Sequence, residues 1–304
     1  MKVFITGGTG IVGNILVDEL LKKNHEVTVL TRNISNVKNK WKATVNLVEG
    51  NPNKIESWTN EVNGHDGIIN LAGANIFDKR WTKNRKKELI KSRVDVGLNL
   101  IHAINQAQNK PKVIVSVSGV DYYPSDGSDY SYNEDDTNSD SFIGSLAKQW
   151  ENSVLNNNLP NLRTIVYRMG VAFSKTNKTA EKMFIPHKFF VGGWVGSGKQ
   201  WYSWLHVADF VNLLLWGLEN DNINGIYNGV SPEPMQMKEI AKIGGKILGR
   251  WTWTFIPGFI LHIVLGERAK LLLDGRKVSC SKIQKTGFQF KYPSIHSTLE
   301  DILS

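Results

Sequence analysis

Cysteine is nearly missing: Cys280 stands alone in 304 residues, which excludes an internal disulfide and a cysteine-rich metal cluster and fits a reducing compartment. Long apolar runs are missing too. The best candidate, Trp251 to Gly266, is broken by Pro257 and His262 and falls short of the ~20 residues a membrane span needs. It reads as a packing or substrate-lobe helix, and no membrane partner is expected. Acidic residues are in deficit, 28 against 37 Lys and Arg, for a net charge of +9. The cations are dispersed except from Lys79-Arg80 through Lys91, where Glu88 interrupts. A solvated helix face beside an anionic ligand explains that stretch as well as a polynucleotide would, so no nucleic-acid partner is expected. With 41% hydrophobic residues and ten Trp, disorder is excluded as well.

What is present begins at once. Lys2-Val3-Phe4-Ile5-Thr6 reads as a short strand that breaks into Gly7-Gly8-Thr9-Gly10 and then a helix from Ile11 to Lys23. Gly7 would turn the chain off the strand, Gly10 would let backbone approach a phosphate, and Gly13 would let helix pack on strand. The helix would aim its free N–H groups at a dinucleotide pyrophosphate. Ile15, Leu16, Leu20 and Leu21 form its apolar stripe, and Glu26 to Thr31 reads as the returning parallel strand. A strand beginning at residue 2 leaves no room here for a signal or transit peptide, so the expected location is cytoplasmic.

The tip of the second strand bears on cofactor choice. A site for NAD wants a carboxylate there, and a site for NADP wants cations for the 2′-phosphate. Thr31-Arg32 occupy the tip, Lys38, Lys40 and Lys42 follow, and no Asp or Glu lies between Glu26 and Glu49. NADP is the expected cofactor, the plainer alternative being that Arg32 is a solvated loop cation.

Gly67 to Leu71, Lys112 to Ser118 and Leu162 to Arg168 read as further strands, each after a helical stretch. Such alternation predicts an α/β fold, a Rossmann-type doubly wound parallel sheet with a smaller C-terminal substrate-side lobe. The expected division is 1–171 with 204–229 for the NADP-binding domain, and 172–203 with 230–304 for the smaller one. Trp194, Trp201, Trp204, Trp251 and Trp253 would give the ligand pocket an aromatic roof. Gly193 to Lys199 imitates a P-loop, but residue 200 is Gln where a magnesium-binding hydroxyl belongs and no suitable strand precedes it, so an ATPase is excluded. His206 and Asp209 stand at a helix entry, suited either to a structural role or to catalysis.

Thr6 to Gly13, Leu71-Ala72-Gly73, and the strand ending in Ser118 before Tyr122-Tyr123 resemble the extended, epimerase-like branch of the short-chain dehydrogenase/reductase superfamily. Arg80-Trp81, Ser92-Arg93, Trp150-Glu151, Gly196 to His206, Gly266-Glu267-Arg268 and Gly287-Phe288 resemble its atypical YfcH-like "epimerase family protein" group. The resemblance spans the chain and includes that group's C-terminal domain. It implies an NADP-dependent oxidoreductase of unknown substrate, with a homodimer possible as in superfamily relatives. By position it implies cofactor contacts at Gly7, Gly10, Ile11, Gly13, Thr31, Arg32, Leu71, Ala72, Glu88, Arg93 and Ala172. An Arg93 guanidinium also suits a pair of phosphate oxygens.

The superfamily's acid/base pair, a Tyr with Lys four residues later, is absent from every one of the eight tyrosines. Anchoring the helix on Glu151 puts Ile143 and Ala147 at those positions, and Lys148 is about 100° out of register. Ser118, Tyr122 and Tyr123 are then the catalytic candidates, with Ser145 nearby, although each also suits a structural role. Two functional classes follow. One is an oxidoreductase with an unusual proton relay; the other is a catalytically silent NADP-binding regulator, a reading kept open by relatives linked to division control. A nucleotide-sugar epimerase would need the missing pair.

Overall fold

β-branched and aliphatic residues in short runs between turns build the sheet, and a computed structural model shows how they are ordered. It describes residues 1–37, 40–41, 44–175 and 178–304, with the side chains of 178–182 left aside; Lys38 and Lys42 lie outside the described residues. Seven strands, β1 (Lys2–Thr6), β2 (Glu26–Thr31), β3 (Asn46–Glu49), β4 (Gly67–Asn70), β5 (Val113–Gly119), β6 (Arg163–Met169) and β7 (Gly225–Gly229), pair in the order β7-β6-β5-β4-β1-β2-β3. Every pairing is parallel. The order reverses at β1, which lies between β2 and β4, and a crevice opens at such a point. The Rossmann-type α/β sheet expected from the sequence is therefore present, with β3 and β7 added to the strands read there.

Nine helices of eight or more residues are described: α1 (Ile11–Lys22), α2 (Lys83–Lys91), α3 (Val94–Gln106), α4 (Phe142–Leu155), α5 (Lys178–Lys188), α6 (Val207–Glu219), α7 (Met237–Ile247), α8 (Gly258–Leu265) and α9 (Ile295–Leu303). Alternate strand residues face opposite sides, as the pleat requires. Val3, Ile5 and Val115 join Leu16 of α1 and Leu214 of α6 in one core. Phe4, Ile68 and Ile114 join Leu100 of α3 and Val154 of α4 in the other. Both faces of the sheet are covered, so its strands read as nearly continuous apolar runs.

A third core gathers Phe173, Phe184, Tyr202, Trp204, Met237, Ile240, Ile295 and Leu299 into the smaller unit. Its backbone is stitched by two-stranded pairs, Gly192–Val195 with Thr252–Ile256 and Trp201–Tyr202 with Met235–Gln236. The C-terminal segment is strapped to α6. Asp209 accepts the Lys291 and Tyr292 N–H groups at 2.7 and 2.9 Å, and His206 Nδ1 accepts the Ala208 N–H at 3.1 Å as helix cap. His206 Nε2 lies 3.3 Å from Asp301, and its ring sits 3.9 Å from that of Tyr292. Each hydrogen-bonding atom of His206 and Asp209 thus has a structural use.

Two expectations are corrected. The run from Trp251 to Gly266 is half strand and half helix, turning at Pro257 into α8, and it is largely exposed, with Trp251 at 85% and Ile263 at 70%. Its pairing with Gly192–Val195 needs only backbone, which leaves the side chains uncovered. Nor do five tryptophans roof a pocket. Trp204 is fully buried, Trp194 stacks on Phe255, Trp251 and Trp253 face solvent, and Trp201 lines a pocket beside the sheet. The P-loop imitation does contain a strand, Gly192–Val195, but leads into the strand Trp201–Tyr202 with no helix after it, so it builds no phosphate cradle.

Candidate functional site

After Thr6 the chain turns at Gly7 with φ of +73°, a left-handed conformation that favours glycine, and a Cβ there would meet the Leu71 carbonyl carbon at 2.6 Å. A Cβ on Gly13 would stand 2.4 Å from the Gly7 oxygen, so only glycine lets α1 seat on the turn. The helix starts at Gly10 with no side chain to cap it. Its first N–H groups are free for an acceptor from outside the chain.

A cleft of about 600 Å³ opens there, lined by Gly7, Gly10, Thr31, Arg32, Leu71, Ala72 and Glu88 among others. The structure therefore brings together seven of the eleven residues expected to touch cofactor. Ile11 is exposed beside them, and Gly13 is buried under the turn. Ala172 pairs in strand with Leu205 and lies off the cleft lining.

The cleft is rich in cations. Arg32, Lys79 and Arg85 line it, with Asp78 and Glu88 opposite in sign. Arg85 is buried, binds Glu88 at 2.7 Å and donates to the Asn75 carbonyl, yet its Nε has no partner among the described residues. The Arg85 hydrogen bond, with Arg85, Lys79 and Arg32 charges behind it, holds the Glu88 carboxyl below the usual range. Arg93 lies under Gly73, and its guanidinium donates to the Leu89 and Ala74 carbonyls at 3.3 and 3.0 Å. It has no carboxylate partner among the described residues. Burial, then repulsion from Arg85, pushes it down to about 10. Two crowded guanidinium groups and an orphaned Nε suit a bound anion, which would neutralise the excess. Arg85 was not singled out from sequence; its basic run showed charge, but the burial that makes it significant comes from Asn75 and the loop after β4.

The catalytic candidates lie elsewhere. Ser118 Oγ donates to Glu151 at 2.7 Å, Glu151 binds Arg168 through two 2.8 Å contacts, and Arg168 donates to the Tyr123 hydroxyl at 2.9 Å. Tyr123 in turn donates to Asn228 at 2.7 Å. All are buried. Burial pushes the Tyr123 hydroxyl far up, outweighing the Arg168 charge, so it is a poor acid at neutral pH. Tyr122 is half-buried with the Arg168 guanidinium 3.4 Å over its ring. Ala147 is buried and Lys148 exposed on α4. In this network the Ser118 and Tyr123 hydroxyls are both engaged inside the protein.

Residues 3–228 match the NAD dependent epimerase/dehydratase family. This chain belongs to that family. Residues 256–302 match a further domain of unknown function, DUF1731. A chloroplastic epimerase family protein SDR39U1 homolog of Arabidopsis thaliana is 34% identical over 309 residues, covering 100% of this chain and 87% of its own. The epimerase family protein SAR0825 of Staphylococcus aureus is 33% identical, covering 100% of this chain and 99% of its own. Human epimerase family protein SDR39U1, crystallised with NADPH, superposes with a TM-score of 0.89 at 30% identity, over 99% of both chains. The atypical, epimerase-family placement inferred from Ser92-Arg93 and the C-terminal motifs is thus shown. Among the described residues no helix is long and apolar enough to cross a membrane.

Proposed function

We propose that this chain binds NADPH in the cleft and reduces a carbonyl compound with it, as an NADP-dependent oxidoreductase of the epimerase-like type. One observation carries the reading: Arg85, largely buried and with its Nε unpartnered among the described residues, lines a cleft whose other cations include Arg32 at the tip of β2. The NADPH in the human relative's crystals supports it. Gly7, Gly10 and the first turn of α1 would receive the pyrophosphate, Thr31 and Arg32 the 2′-phosphate, and Leu71 and Ala72 the strand-end face of the cofactor. Arg85 and Glu88 would border it, with Arg93 beneath. Bound NADPH supplies a hydride; the chain's own residues orient it and exclude water.

Fluorescence titration with NADPH and NADH tests this. NADPH should bind more tightly, and Arg32→Glu should erase about 10- to 100-fold of that preference, the worth of a charge-assisted contact of about 1.5–3 kcal/mol. Preference for NADH in the unaltered protein sinks the proposal. The silent-regulator reading also has a specific support, since Ile143 and Ala147 replace the acid/base pair and Ser118 and Tyr123 are sealed. Tight NADPH binding without turnover across a carbonyl panel would select it.

A further inference from the structure

A second pocket, of about 130 Å³, lies between the carboxyl ends of β5 and β6 and the smaller unit. The loop after β4 joins it to the cleft, lining the cleft with Gly73 to Asn75 and the pocket with Ile76 and Phe77. Asp121 and Arg276 meet there as an ion pair, yet the Arg276 Nε is buried without a partner among the described residues. Asp274 lines the same wall, and its carboxyl has no hydrogen bond among the described residues. The backbone between them is pinned. Arg276 N–H donates to the Trp201 carbonyl at 3.1 Å, Ser203 Oγ donates to the Arg276 carbonyl at 2.8 Å, and Gly275 N–H donates to Ser125 Oγ at 2.9 Å.

Resting on the reductase reading above, we infer that this pocket takes a small uncharged aldehyde or ketone, with Arg276 holding its oxygen and Asp274 giving that oxygen a proton. The volume lies well under the roughly 300 Å³ at which ordinary ligand clefts begin, too small for a nucleotide sugar. Val120, Met169 and Leu271 offer apolar walls. The Asp121 and Arg276 charges cancel in their pair, and burial disfavours the charged form of the Asp274 carboxyl, which suits an uncharged substrate. Burial raises the Asp274 carboxyl; Arg276 and Lys270 oppose that, Asp121 adds to it, and His262 opposes it. Tyr202 shares the pocket, but burial pushes its hydroxyl up to about 12, a weaker acid at neutral pH. In the balanced step the carbonyl carbon gains a C–H bond from the dihydronicotinamide hydride and the C=O π bond breaks. The oxygen takes the Asp274 proton, leaving an alcohol, oxidised nicotinamide and a carboxylate that regains its proton from water.

The test compares cyclohexanone, benzaldehyde and UDP-glucose on the full chain, by ligand-observed NMR and by NADPH oxidation. Both carbonyls should bind, with Arg276→Leu abolishing their NMR signal while NADPH affinity stays within twofold. Reduction should slow as pH rises through the raised Asp274 value. Asp274→Asn should lower the rate about 10²- to 10⁴-fold and remove that limb, and Tyr202→Phe should leave it in place. An unchanged pH profile in Asp274→Asn, binding that survives Arg276→Leu, or preferential binding of UDP-glucose overturns the inference while leaving the reductase reading intact. Loss of NADPH binding in the unaltered chain would strike that reading instead. If neither carbonyl is turned over, NMR still decides: binding lost in Arg276→Leu supports the pocket, and absent binding overturns it.

Discussion

Glu151 with Arg168 and Asp121 with Arg276 are the same pair of groups in two settings. Glu151 and Arg168 are 3% and 2% exposed, and every guanidinium nitrogen is engaged, by Glu151, the Tyr123 hydroxyl and the Glu134 carbonyl. Asp121 is 35% exposed, and Arg276 lines an open pocket while its buried Nε has no partner among the described residues. A sealed pair with nothing left over offers a ligand no free donor. A pair whose members both line a cavity can meet a ligand. The sealed pair lies beside the α4 positions where the superfamily's acid/base residues would belong, and the open pair straddles the two units. The acid/base tyrosine and lysine are replaced on α4 by Ile143 and Ala147, whereas the open pair lines a cavity.

The largest effect that could break the contrast is on stability. Glu151→Ala strands the buried Arg168 charge and should cost about 3–5 kcal/mol in urea unfolding. Arg276→Leu frees a partly exposed Asp121 and should cost less than about 1 kcal/mol. Equal losses would show that the open pair is structural too. The His206 strap lies between these extremes. His206→Ala removes a helix cap and the Asp301 contact, for a loss of about 0.5–2 kcal/mol, whereas His206→Asn keeps the cap and should lose less. A loss as large as that of Glu151→Ala would put the strap, rather than the sealed pair, at the centre of the fold.

A pH series sharpens the same comparison with a smaller effect. Asp274 has a folded pKa raised above its unfolded value, first by burial. Its contribution to stability is complete below the unfolded value and is lost as pH rises through the folded one. Stability measured across that window should therefore decline in the natural chain, and the decline should be shallower in Asp274→Asn. A decline that is identical in both would remove Asp274 from the set of buried carboxyls that matter.

What could be read from sequence was local. Gly7, Gly10 and Gly13 with β1, α1 and β2 lie within thirty-one residues, so one motif implied the turn, the crevice and the choice between a carboxylate and Arg32. The strands rich in Val and Ile were visible for the same reason. β7, Gly-Ile-Tyr-Asn-Gly, has little strand character of its own and forms because the edge of β6 accepts it. The second pocket was invisible because Gly275 meets Ser125 across 150 positions of chain. Arg93 was visible as a cation, but its carbonyl partners, and hence its burial, were not. Composition likewise said that Trp251 to Gly266 is apolar without saying whether anything covers it.

That last point yields the smallest and most direct measurement. Trp58 and Trp204 are at most 1% exposed in the cores, whereas Trp251 and Trp253 are 85% and 64% exposed on the smaller unit. Collisional quenching by acrylamide reads access, not composition. Trp251→Phe with Trp253→Phe should remove most of the readily quenched emission and leave NADPH affinity unchanged, because neither residue lines the cleft. If the quenched fraction persists, the exposed surface is covered in solution, and the contrast between a filled sheet and a bare C-terminal face fails. If it vanishes, the apolar residues of the two units are doing different things: those of the sheet bury area that drives folding, and those around α8 contribute less of that stabilisation.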